Sequence, residues 1–176
     1  MKTVSIVTPT YNSMRTLEDY MSAILMQDYP HEDLEIVIAD GGSADGTIHR
    51  LEQYQSECDI PIHICKNPLK TAEAGKAVGV RKAVHEIVLL LDSDNIIPDP
   101  HWMTRMMAPF EEKEIIASEP IEYTYRKEDS TINRYCALIG MNDPLCMFTG
   151  NYDRKCMITG KWTTVPREEI DRGDYL

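Results

Sequence analysis

The chain has 176 residues, enough for one domain with its own core and no need of disulfides or a structural metal. Hydrophobic residues at 43% and charged residues at 27% argue against disordered and fibrous classes. The net charge of −11 argues against a nucleic-acid binder, which needs a basic face, and any phosphate ligand here requires a local cation, either a metal ion or a few placed lysines. The cysteines (Cys58, Cys65, Cys136, Cys146 and Cys156) form no C-x-x-C pair and fit no zinc knuckle, so free thiols of a reduced cytoplasmic protein are expected. No signal-peptide pattern is visible, and the longest apolar run, Ile87–Leu91, is far short of a membrane span.

In chain order, Thr3–Thr8 predicts a first strand and Met14–Met26 a helix, with Met14, Leu17, Met21, Ile24 and Leu25 at three- and four-residue spacing. Leu34–Ala39 predicts a second strand, followed by a helix over Asp45–Tyr54 that Asp45 caps. Ile60–Cys65 predicts a third strand, Ala72–Val84 a helix, and Glu86–Leu91 a fourth strand. The first, second and fourth runs are near-continuous in apolar residues, the pattern of strands buried on both faces of a parallel sheet. Strand–helix alternation predicts an α/β fold with a mostly parallel sheet. Further on, Asp99-Pro100 opens a helix through Met107, Ile115–Tyr125 reads as a strand and Ser130–Ile139 as a helix. The stretch from Gly150 carries no clear pattern.

Ligands of open α/β sheets sit beyond the carboxyl ends of the strands. Three exits carry hydrogen-bonding groups: Pro9-Thr10-Tyr11-Asn12, the run Asp40 to Thr47, and Asp92-Ser93-Asp94-Asn95. Asp92 and Asp94, two residues apart as a strand ends, can project to one side and offer hard oxygen ligands to Mg²⁺ or Mn²⁺. Two carboxylates alone would repel a diphosphate, whereas a divalent ion between them reverses the sign. A turn and capping cluster is the plainer account of the same residues. Asp40 can accept from a base imide or a ribose hydroxyl, with Gly41 and Gly42 allowing close approach to the backbone. Tyr11 suits stacking on a base, with Pro9 shaping the loop, but equally suits a half-buried turn. Lys76 lies early in a helix, where the dipole does not call for a cation, and so suits a phosphate; a solvated lysine is an equal reading, and Lys70 is a weaker candidate of the same kind. No G-x-G-x-x-G follows the first strand and no P-loop occurs, which argues against a dinucleotide-binding or P-loop fold.

The runs Val4–Asn12 and Ile36–Thr47, together with Gly75-Lys76-Ala77 leading into Leu91–Asn95, resemble family 2 glycosyltransferases in residue type, order and spacing. The resemblance implies a GT-A fold, a Rossmann-like three-layer sandwich, and transfer of a sugar from a nucleotide-diphosphate donor (UDP-sugar favoured) to an acceptor hydroxyl, with inversion. It implies Mn²⁺ or Mg²⁺ as cofactor and a carbohydrate or lipid-linked acceptor. By position it puts Pro9, Tyr11 and Asp40 at the nucleoside, Asp92 and Ser93 near ribose and metal, Asp94 as main metal ligand, and Lys76 near the diphosphate. Gly41 and Asn95 stand where many members carry acidic residues. The chain is then expected to be one GT-A-type domain over residues 1–176, with its nucleotide-binding half at about 1–110 and the start of an acceptor half after it, cut short at the C-terminus. A cytoplasmic location follows, with attachment to the inner membrane face left to a missing C-terminal part. An inverting transfer needs a carboxylate to deprotonate the acceptor. Asp143 is the best candidate present, although an Asx-Pro turn is the better account of it. Glu168, Glu169 and Asp171 read as a solvated charged face. Two other readings stay open: a sugar-phosphate nucleotidyltransferase, against which the glycine-free loop Thr10–Ser13 argues, and a nucleotide-binding module without transfer activity.

Overall fold

The computed structural model describes residues 1–120, 123–140, 145, 148, 156–160 and 168–173. Two compact units divide the chain, Met1–Met107 and Ala108–Leu176. In the first, β1 (Val4–Thr10), α1 (Met14–Leu25), β2 (Leu34–Asp40), α2 (Thr47–Glu57), β3 (Ile62–Lys66), α3 (Ala72–Val80), β4 (Ile87–Leu90) and α4 (Trp102–Met107) follow in order. The sheet is four-stranded and parallel, in the order β3-β2-β1-β4. Every residue of β1 and β2 is buried, which explains their unbroken apolar runs.

Adjacent residues of β1 meet helices on opposite faces. On one face the buried Tyr20 of α1 hydrogen-bonds the Thr8 hydroxyl. That burial pushes the Tyr20 phenol well above its ordinary pKa. On the other face α3 lies directly on β1: a Cβ at Gly75 would come within 2.7 Å of Pro9 Cβ, and one at Gly79 within 2.3 Å of Val7 Cγ1. The sheet is therefore enclosed between helices, the α/β sandwich expected.

Several boundaries and exposures differ from the expectation, each for a visible reason. β3 begins at Ile62 because Pro61 has no N–H to donate, although its carbonyl still accepts from Ile36 N at 2.8 Å. α3 ends at Val80 rather than Val84, where the buried Glu35 carboxylate takes over the chain by accepting from Val84 N at 2.8 Å and from the Ser5 hydroxyl. β4 is not buried on both faces: it pairs with β1 alone among the described residues, and Val88 and Leu90 are exposed. The helix expected from Asp99 starts at Trp102, with Asp99 Oδ1 accepting from His101 N at 3.0 Å.

In the second unit, α5 (Thr131–Leu138) is capped by Ser130 Oγ, which accepts from Asn133 N at 3.1 Å. The strand expected over Ile115–Tyr125 is absent from its described residues: Pro120 has no N–H to donate, and Ile116 buries nothing at 93% exposure. The described cysteines Cys58, Cys65, Cys136 and Cys156 are free thiols. No described helix is long and apolar enough to cross a membrane.

Candidate functional site

At the carboxyl edge of the sheet the loops after β1 and β2 hydrogen-bond each other. Asn12 N donates to Ser43 Oγ at 2.8 Å, and Ala44 N donates back to Asn12 Oδ1 at 2.9 Å. Ser13 N donates to Thr47 Oγ1 at 2.9 Å and Met14 N to Asp45 Oδ2 at 3.0 Å. Asn12 takes a left-handed φ of 53°, a conformation asparagine tolerates better than most residues. Asp45 acts from one residue further out than a cap on α2: Gly46 is the cap residue, while Asp45 Oδ1 accepts from Thr47 N and from the Thr47 hydroxyl. The Thr47 hydroxyl bond is the main cause holding the Asp45 carboxyl below its ordinary pKa. Thr47 is fully buried, so Thr47→Val keeps the shape but strips the only acceptor that Ser13 N has among these contacts. We expect this change to lower unfolding free energy by about 2 kcal/mol in urea titrations, with the m-value unchanged.

Asp40 sits at the end of β2, opposite Thr10 and only 4% exposed. Its Oδ1 accepts from Gly42 N (2.7 Å) and Ser43 N (2.8 Å), and its Oδ2 from Ser43 Oγ (2.5 Å) and Thr10 Oγ1 (3.0 Å). Four donors fill the lone pairs of one carboxylate. A further donor reaching Asp40 therefore has to displace or share one of these, two of which are hydroxyls, from Ser43 and Thr10.

Tyr11 is half exposed and lies over Gly41, where a Cβ would come within 3.1 Å of Tyr11 Cδ2 and 3.4 Å of Lys70 Cα. Lys70 Nζ stands 5.4 Å from the Tyr11 ring centroid, within cation–π range. The absence of a side chain at Gly41 is thus what lets the ring settle against β2. Pro9 is buried in β1, in register with Ala39, and meets α3.

Asn67 went unnoticed in the sequence. It follows β3 on the same edge, 3% exposed, with its N–H donating to Asp40 O at 2.7 Å and its Nδ2 to Thr71 O at 2.9 Å. Its Oδ1 is buried without a protein partner among the described residues. An asparagine directly after a strand, like the aspartate after β2, was the available signal.

Beyond β4 the acidic residues lie in a turn, not on an extended strand, so strand alternation does not set their directions. Asn95 N donates to Asp92 O at 2.9 Å, and Asp92 N donates to Asn95 Oδ1 at 3.2 Å, closing the turn from both sides. Ser93 Oγ meets Ser13 Oγ at 3.0 Å and so ties this turn to the β1 exit. Lys76 Nζ donates to Asp92 Oδ2 at 3.1 Å and lies 2.8 Å from Asp92 Oδ1. That second oxygen is buried and has the Lys76 ammonium as its ion-pair partner. Asp94 is exposed and makes no hydrogen bond or ion pair with the described residues.

These residues fit a small divalent cation. Asp92 already accepts a cation on both oxygens, and Asp94 is free to join. Such an ion keeps waters and takes phosphate oxygens, so it does not require an all-protein cage. The described residues contain no group of three or more metal-ligating side chains that would form one. Asp143 lies outside the described residues. Glu168, Glu169 and Asp171 are exposed.

The sheet is parallel, in the order β3-β2-β1-β4, and an acidic turn paired with Lys76 stands at its carboxyl edge, where open α/β sheets take their ligands. The chain belongs to glycosyl transferase family 2, whose model matches residues 5–162. It is 30% identical over 101 residues to the poly(ribitol-phosphate) beta-N-acetylglucosaminyltransferase TarS of Staphylococcus aureus, covering 55% of this chain and 17% of TarS. Glycosyltransferase AglE of Haloferax volcanii is 24% identical over 139 residues, covering 78% of this chain and 45% of AglE. The chain thus spans less than half the length of these relatives. Among solved structures, S. aureus TarS 1-349 in complex with UDP aligns with a TM-score of 0.55 and 25% identity, covering 62% of this chain and 32% of that one. The mannosyltransferase PcManGT of Pyrobaculum calidifontis, in complex with GDP-Man and Mn²⁺, aligns at 0.53 and 28% identity, covering 56% and 29%. The fold is of the GT-A type.

Proposed function

We propose that this chain forms the donor site of a metal-dependent glycosyltransferase that moves a sugar from a nucleotide diphosphate, UDP-linked, to an acceptor hydroxyl of a carbohydrate or lipid-linked chain, with inversion. The observation that carries the reading is the turn at Asp92–Asn95, where both oxygens of one carboxylate already face a cation, the Lys76 ammonium at 2.8 and 3.1 Å, and a second carboxylate is exposed without a partner among the described residues. Asp92 and Asp94 would hold Mn²⁺ or Mg²⁺. The bound ion supplies charge neutralisation for the departing diphosphate. Tyr11 offers a ring face to the base, and Asp40 and Asn67 offer polar groups beside it. Ser93 and Ser13 keep the acidic turn against the β1 exit, and Lys76 stands within reach of the diphosphate. Asp143 is the one candidate the sequence offers for the base that deprotonates the acceptor, and the base itself is left unassigned. UDP is favoured over GDP because TarS, solved with UDP, resembles this chain over the larger share of its length.

Titration calorimetry of UDP, GDP and dTDP, each with and without Mn²⁺, tests this reading. UDP binding that requires Mn²⁺ and exceeds that of the other two is expected. If no nucleotide binds with Mn²⁺ present, in protein shown by circular dichroism to be folded, only the shared fold survives.

A further inference from the structure

Lys76 does not reach outward from α3. Its ammonium contacts both oxygens of Asp92, at 2.8 and 3.1 Å, where the proposed metal would bind. The position of Lys76 is fixed from behind, because its neighbour Gly75 and the following Gly79 seat α3 directly on Pro9 and Val7 of β1. β4, which leads to Asp92, pairs with the same strand. Lys76 is the middle residue of α3, beyond the first turn, so the helix dipole does not account for this pair.

We propose that Lys76 is an internal stand-in for the metal: it neutralises Asp92 in the empty site and is handed over to the diphosphate when nucleotide and metal load together. The proposal rests on the donor-site reading above. The charges explain the coupling. In the empty site Lys76 cancels Asp92 and leaves Asp94 as the one uncompensated charge of the three. A divalent ion arriving alone would balance both carboxylates but strand the Lys76 ammonium beside a like charge, which disfavours its binding. A diphosphate arriving at the same time supplies the anion that Lys76 has lost. Each ligand therefore raises the affinity for the other by the same factor, as linkage requires.

The test measures Mn²⁺ binding from the EPR signal of the free ion, with and without saturating UDP, in wild type, Lys76→Met and Lys76→Arg. Lys76→Met removes the competitor and the stranded charge. It is expected to bind Mn²⁺ alone about fivefold more tightly than wild type, the worth of a part-exposed ion pair. The factor by which UDP strengthens Mn²⁺ binding is expected to fall by at least as much, and Lys76→Arg is expected to keep the wild-type factor. A lysine that merely braces α3 against the turn would leave Mn²⁺ affinity without UDP unchanged or lower in Lys76→Met. That result, in protein whose wild type shows UDP-dependent Mn²⁺ binding, overturns the stand-in role and leaves the donor site intact. Wild-type protein showing no such dependence overturns both. Lys76→Gln serves the same comparison if Lys76→Met melts below wild type.

Discussion

Asp94→Ala is expected to lower Mn²⁺-dependent UDP affinity by about 100-fold, equivalent to about 3 kcal/mol, while leaving the melting temperature where it was. The two halves of this expectation come from the same fact. Asp94 is exposed and makes no bond to the described residues, so its carboxylate does nothing for the folded chain. Surface changes of that kind usually stay within about 0.5 kcal/mol of neutral. Whatever Asp94→Ala removes is therefore ligand binding. Asp92→Asn is less clean, because it also breaks the Lys76 pair and alters a buried oxygen. Calorimetry on the Asp94 variant beside a thermal melt separates the roles. Unchanged UDP affinity would mean that the acidic turn is only a turn, and the metal would have to be sought elsewhere.

Much of this site was legible in the sequence because its residues follow strands. Asp40 and the Asp92–Asn95 turn were found by asking what leaves each carboxyl end, and the structure gathers those exits on one edge. What could not be read was how the edge is held. Asn12 and Ser43, Ser13 and Thr47, and Met14 and Asp45 are each more than thirty residues apart, and Ser13 and Ser93 are 80 apart. No local pattern announces such pairs. Asp40 shows the consequence, since a residue expected to face a ligand already satisfies four donors of its own loops. The strand expected over Ile115–Tyr125 failed for the opposite reason, because β-forming residues predict a strand only where there is something to pair with and a face to bury.

Gly79 carries the second large effect, one that sequence propensity would predict with the wrong sign. Alanine is favoured over glycine inside a helix by about 1 kcal/mol, and Gly79 shows no left-handed φ that would resist it. Gly79→Ala should then stabilise α3. The packing says otherwise: the new methyl would sit 2.3 Å from Val7 Cγ1, far inside contact distance. Val7 cannot step aside. It is fully buried, β-branched and stiff at χ1, and its strand is paired on both sides, with β2 and β4. Overpacking of this kind outweighs the helix gain, and a net loss of about 2 kcal/mol is expected. It would be read as a lower urea midpoint with an unchanged m-value. Val7→Ala in the Gly79→Ala background should recover much of the loss, because the two side chains compete for one space and their effects cannot add. The same displacement would lift α3 from β1 and carry Lys76 away from Asp92, so a second reading is available on the same protein. If Gly79→Ala lowers stability and Val7→Ala restores it, Mn²⁺-dependent UDP binding should fall and return in step. A stabilised Gly79→Ala would mean that α3 sits further from the sheet than the contact at Val7 requires.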